Sequence, residues 1–169
     1  MRILRKLILV LLVLFLCVGC DQATKSVARA HLPAAQPLRL LGDTLQLQYT
    51  ENLGAFLGLG SSLPAAVRFW ILIVMVSASL TGTLIFILVS PHLTNVGFLG
   101  GALVVGGGFS NLLDRIHNGG AVVDFINIGV GRLRTGIFNV ADLAIMLGIG
   151  LLLSQEWGAY RGRRTEKGD

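Results

Sequence analysis

A chain of 169 residues that is 53% hydrophobic and only 14% charged, with a mean hydropathy of +0.74, lies far from the composition of water-soluble domains and belongs in a membrane. Its length suits one domain, and the apolar stretches leave no room for a separate soluble one. The net charge of +5 does not call for a nucleic-acid partner: seven of the 14 Lys and Arg (Arg2, Arg5, Lys6, Arg161, Arg163, Arg164, Lys167) sit at the two ends, where they read as membrane-flank charges.

Four apolar segments follow one another: Leu7 to Cys20, Phe69 to Ser90, Val96 to Leu113 and Ile137 to Leu153. A span needs about 20 residues. The first is short alone and must continue through Asp21 to Lys25 or Ala28, which draws an acid and a base to the membrane boundary, where ionisable residues are costly and often functional. Cys17 and Cys20 lie in that segment with no His or further Cys nearby, so neither a metal site nor a disulfide framework follows. Between the first two segments, Thr44 to Thr50 alternates polar and apolar and suits a half-buried strand. Glycines 54, 58 and 60 then make a flexible extension lying on the membrane surface, able to close over a site as a lid. The third segment carries Gly97, Gly100, Gly101, Gly106, Gly107 and Gly108, a density that permits close helix contact in lipid. The polar C-terminal tail reads as disordered.

The expected architecture is an all-α membrane protein of one domain, 1–169, with four transmembrane helices, a small β-sheet cradle and an interfacial segment. The spans are placed at about 5–28, 66–90, 96–114 and 137–156, with a cradle at 38–65, a second outer loop at 116–135 and a tail at 157–169. Lys and Arg are densest in the two terminal tails, which an even number of helices puts on one side; the positive-inside rule makes that side cytoplasmic.

Three acids gather at the outer ends of the last two helices: Asp114, Asp124 and Asp142. Asp142 lies three residues after Asn139, the spacing of a capping box, which does not exclude catalysis. Asp124 sits in Ala-Val-Val-Asp-Phe-Ile-Asn-Ile, a stretch too short to span that returns the chain to the interface after Asn118-Gly119-Gly120. Its local alternative is an Asx turn. Two acids delivered to one interfacial site could share a proton, one acting as base and the other as acid. For Asp114-Arg115 the plain alternative is a snorkelling Arg beside a solvated Asp, and for Asp21 and Lys25 an ordinary helical ion pair. His31, His92 and His117 are scattered, so no Ser/His/Asp or Cys/His arrangement is suggested.

Several blocks in order resemble the lipoprotein signal peptidases, or signal peptidase II: Asp21-Gln22-Ala23-Thr24-Lys25, Asn52-Leu53-Gly54-Ala55-Phe56, Gly107 to Arg115 continuing through Val122-Val123-Asp124-Phe125, and Phe138-Asn139-Val140-Ala141-Asp142. Each block is weak, and the ordered set is specific. Two departures stand beside it: Thr135-Gly136 before Ile137, where the family often has an aromatic residue and a proline, and Ser110 in place of Gly or Ala.

The resemblance implies an aspartic endopeptidase of the bacterial inner membrane, with its active site at the periplasmic face. It would cleave prolipoproteins just before a diacylglyceryl-modified cysteine. It makes Asp124 and Asp142 the catalytic pair, with Asp21, Lys25, Asn52, Gly54, Asn111, Asp114, Arg115 and Asn139 supporting the site or binding substrate. It implies no cofactor and no metal, with prolipoprotein and membrane lipid as partners of a monomer. Two other readings remain open on the sequence. Cys17-Val18-Gly19-Cys20 resembles the end of a lipoprotein signal, which would make the chain a lipid-anchored structural protein. Intramembrane acids also mark small ion-coupled transporters.

Overall fold

The computed structural model describes residues 3–166. Helix α1 spans Ile3–His31, and its 29 residues are about 43 Å long, enough to cross a hydrocarbon core with a turn or more to spare at each end. Val10, Asp21, Lys25 and Ala28 are buried on this helix, while Leu11, Phe15 and Leu16 are left exposed. Strands β1 (Leu38–Leu40) and β2 (Leu45–Asn52) come next, then a short turn at Phe56–Gly58. Helix α2 spans Ala65–Val89 and is wound more loosely over Trp70–Met75. Helix α3 is Asn95–His117, strands β3 and β4 are Val122–Val130 and Leu133–Arg134, and helix α4 is Val140–Glu166. All four helices contain windows apolar and long enough to cross a membrane.

Helix α3 is the centre of the bundle and touches each of the other three. Its glycines make this possible by letting backbones approach. A Cβ at Gly100 would stand 2.7 Å from the Gly148 carbonyl oxygen of α4, one at Gly106 would stand 2.9 Å from Cys17 on α1, and one at Gly101 would meet Ile87 on α2. Polar devices hold the helix ends. The Thr94 hydroxyl accepts from the Gly97 N–H at the start of α3. At the end of α2 the buried Lys6 ammonium donates to the carbonyls of Ile87, Leu88 and Ser90 at 3.1, 3.0 and 2.9 Å, satisfying acceptors that a helix end leaves bare.

The expected small sheet is present, four-stranded and antiparallel in the order β1-β2-β3-β4, and it corrects the all-α label because two of its strands come from the loop after α3. Residues Val122 to Phe125 are all buried, Asp124 included, so this part of the strand shows no alternation of apolar and polar positions in the sequence. Register places Leu38, Leu47 and Ile126 in one cross-strand row and Leu40, Leu45 and Ile128 in the next. A bulge between Leu47 and Thr50 bends β2 where it passes Asp124. The last helix starts at Val140, not near Ile137, because Phe138 is drawn into a bridge with Ile126. Instead of disorder from residue 157, α4 continues to Glu166; residues 167–169 lie outside the described part of the chain.

Candidate active site

Asp142 lies in the first turn of α4 and forms the reciprocal capping box that its spacing suggests. The Asn139 Oδ1 accepts from the Asp142 N–H at 2.9 Å, and the Asp142 Oδ2 accepts from the Asn139 N–H at 3.3 Å. The other carboxylate oxygen, Oδ1, accepts from Asn111 Nδ2 at 2.9 Å.

Asp124 comes from β3, opposite Thr50 of β2. It is 2% exposed, and its oxygens accept from Asn139 Nδ2 at 2.6 Å and Asn52 Nδ2 at 2.9 Å. Asn139 therefore bonds both acids, through its side chain to one and its backbone to the other. Burial pushes the Asp124 carboxyl up to about 6 against its ordinary 3.8. The two amide donors work against this and the neighbouring Asp142 charge works with it.

Both carboxylates open on one cavity of about 370 Å³. Its polar end carries Asn52, Asn111, Arg115 and the two acids; its apolar wall is Leu72 and Val76 of α2 and Ile145, Met146 and Ile149 of α4. Met146 and Ile149 are themselves exposed, so the apolar end opens on the outside of the bundle. This is a space for an aliphatic group attached to something polar that must reach the acids.

A second layer of charge lies behind the cavity. The Lys25 Nζ reaches Asp21 Oδ2 at 2.6 Å, Asp114 Oδ2 at 2.9 Å and Asn111 Oδ1 at 2.9 Å, which uses all three ammonium donors. Asp21 is fully buried, accepting from Ser110 Oγ at 2.7 Å and from the Ala141 N–H at 2.8 Å, so an acid of α1 satisfies a bare donor in the first turn of α4. Asp114 is not a solvated surface acid: it is 4% exposed and accepts also from Gln22 Nε2 at 2.8 Å and the Val123 N–H at 3.0 Å. Nor are Asp21 and Lys25 an ordinary surface pair.

Arg115 donates from Nη2 to the Gly54 carbonyl at 2.8 Å and from Nη1 to the Asn111 carbonyl at 3.4 Å, so it ties the Gly54 loop to α3. Its Nε is buried and has no hydrogen-bond partner among the described residues. Asn52 orders the same loop, accepting from the Gly54 N–H at 2.8 Å and donating to the Ala55 carbonyl at 3.1 Å. Gly54 is required there, since a Cβ would lie 2.5 Å from the Leu59 carbonyl oxygen.

The structure thus brings every site residue named above into one connected network. It adds Gln22 and Ser110, which the site list lacks. Gln22 sits beside Asp21 in the first block and Ser110 beside Asn111 in the third, and membership of those blocks is the signal the sequence offers for both.

The family model described as signal peptidase (SPase) II matches residues 13–157. The lipoprotein signal peptidase of Chlorobium phaeobacteroides (strain BS1) is 37% identical over 153 residues, covering 82% of this chain and 92% of that one. That of Halalkalibacterium halodurans is 30% identical over 147 residues, covering 87% and 90%. Among solved structures, a bacterial membrane enzyme determined by the in meso method shares the fold, with a TM-score of 0.76 at 23% identity over 88% of this chain and 87% of the other. Four spans, a buried carboxylate pair and these matches lead to one statement of kind: the chain belongs to the signal peptidase II family, and is a multi-pass membrane protease.

Proposed function

We propose that the chain is an aspartic endopeptidase that removes signal peptides from prolipoproteins, cleaving just before a diacylglyceryl-modified cysteine, with Asp124 and Asp142 as the catalytic pair. The observation that carries this reading is the placement of two buried carboxylates, linked through Asn139, at the polar end of a cavity whose other end is aliphatic. The lipid chains lie along Leu72, Val76, Ile145 and Met146 while the scissile bond meets the acids.

The ionised acid takes a proton from a water, whose oxygen attacks the scissile carbonyl carbon. The protonated acid gives its proton to the carbonyl oxygen. As the tetrahedral species collapses, the first acid protonates the departing nitrogen, the C–N bond breaks, and the second acid recovers a proton from the diol. Both return to their starting states. Asn52, Asn111 and Asn139 hold the pair, Arg115 holds the loop at Gly54, and the turn at Phe56–Gly58 closes over the cavity.

The whole chain acts as one monomeric membrane domain in the bacterial inner membrane, with both termini cytoplasmic and the sheet and active site periplasmic. The lipid-anchor reading is disfavoured because α1 runs through Cys20 without interruption and Asp21, the next residue, is tied to α3 and α4. The transporter reading is disfavoured because the acids cluster at the sheet end of the bundle instead of spanning its depth. Cleavage of a diacylglyceryl-modified precursor by the detergent-solubilised protein tests the proposal. Asp124→Asn and Asp142→Asn should each abolish cleavage while the protein stays in the membrane, and activity retained by either defeats the assignment.

A further inference from the structure

Lys25 belongs to a helix that contributes no side chain to the lining of the active-site cavity, yet it reaches the acid pair through one intermediary. An asparagine amide has an accepting end and a donating end. The Asn111 Oδ1 receives Lys25 Nζ at 2.9 Å and Asn139 Nδ2 at 3.1 Å, and an ammonium can only donate. This fixes which way the amide faces: its Nδ2 is turned to Asp142 Oδ1 and can only donate there.

We propose that Lys25 is a positioning residue that acts through the orientation of the Asn111 amide to hold Asp142 as the ionised member of the pair, leaving Asp124 to carry the shared proton. This rests on the reading of the two acids as an acid–base pair and adds which is which.

The surroundings of the two carboxylates differ in the required sense. Asp142 sits in the first turn of a helix, where the backbone dipole favours negative charge, and it receives a backbone N–H and the locked Asn111 amide. Asp124 is on a strand, with no such dipole, and one of its two donors, Asn139 Nδ2, is divided among Asp124, Asn111 and the Val123 carbonyl.

The titratable and charged groups around Asp142 are Asp124 of β3, Asp21 and Lys25 of α1, and Asp114 and Arg115 of α3. Within this set the Lys25 charge is already matched by Asp21 and Asp114, so the triad carries a net negative charge. Bare attraction between Lys25 and Asp142 is therefore not what favours the ionised acid; the directed amide is.

The test is the pH profile of precursor cleavage, read as kcat/KM for wild type, Lys25→Met, Asn111→Leu and the double variant, with folded enzyme counted in each preparation. The acid limb, where the rate climbs as the base ionises, should move up by about one pH unit or more in Lys25→Met. Asn111→Leu should move it comparably, and the double variant should move it no further than the larger single effect, as expected of two residues in one chain of action. Lys25→Arg, which keeps charge and donors, should restore the wild-type limb.

An unmoved limb with a lower plateau in Lys25→Met makes Lys25 merely structural and overturns the proposal, as do additive displacements in the double variant. Should Lys25→Met fail to accumulate in the membrane, Asn111→Leu decides alone, because it leaves Lys25, Asp21 and Asp114 in place; an unmoved limb there is equally fatal. A wild-type protein that cleaves no lipid-modified precursor at any pH defeats the peptidase reading itself, a result distinct from all of these.

Discussion

Raising the pH should destabilise the folded protein at Asp124, and Asp124→Asn should remove that dependence. In the folded chain Asp124 holds its proton to about 6, against 3.8 for an ordinary aspartate. The unfolded chain therefore releases its proton first as pH rises, and stability is lost between these two values and stays lower above them. At about 1.4 kcal/mol per pH unit, the gap corresponds to a ceiling of about 3 kcal/mol for keeping the buried carboxylate ionised. At pH 4.5 folded wild type carries the proton on this group and resembles the asparagine variant in charge, although about 1 kcal/mol of the loss has already accrued because the unfolded aspartate is mostly ionised there. At pH 7.5 wild type bears the penalty and the variant escapes it. Against this, asparagine offers one acceptor where Asn52 and Asn139 present two donors, an unmade bond costing about 1–3 kcal/mol. The net advantage of the variant at pH 7.5 is then about 0–2 kcal/mol, and because the unmade bond is common to both pH values, the stability gap should move in the variant's favour by about 2 kcal/mol between pH 4.5 and pH 7.5. Equilibrium unfolding in mixed micelles at both pH values measures it, because groups not coupled to Asp124 titrate in both proteins and cancel in the difference. A stability gap that is the same at both pH values, or that moves in favour of wild type as pH rises, refutes the argument.

Gly54→Ala should cut cleavage at least tenfold with little loss of folded protein, because its Cβ would strike the Leu59 and Gly58 backbone and displace the loop held by Arg115; cleavage rate set against thermal stability checks this. Gly100→Val should lower stability by several kcal/mol, since the side chain would part α3 from α4 at Gly148, and thermal unfolding in detergent reads the loss. Lys6→Met leaves three carbonyl oxygens at the end of α2 without their donor and should cost about 1–3 kcal/mol. Lys6 lies at the end of the bundle away from the acids, so the activity per folded molecule should stay at the wild-type level.

Hydropathy alone locates the four spans, because a helix in lipid needs an uninterrupted apolar run and no other local signal competes with it. The pairing of Asn139 with Asp142 is equally legible, since a capping box depends only on residues three apart. The extent of the sheet is less so: buried Val122 to Phe125 show no alternation, and β1 is only three residues long. The helix start at Val140 was hidden because the competing bridge involves Ile126, twelve residues away in the chain.

What the chain determines by itself is thus the local and compositional part: apolar spans, a glycine-rich third helix, a capped acid, and ordered blocks that resemble one family. The fold decides what these do to each other. Only when α1, α3 and α4 pack does Asp21 meet the Ala141 N–H and Lys25 meet Asn111, across 120 and 86 positions of sequence. Asp114 reads as a surface acid until the fold removes its water and supplies Lys25, Gln22 and the Val123 N–H in exchange. The physical reason is that burial and hydrogen-bond direction are properties of an assembled environment, and no residue carries them before its neighbours arrive.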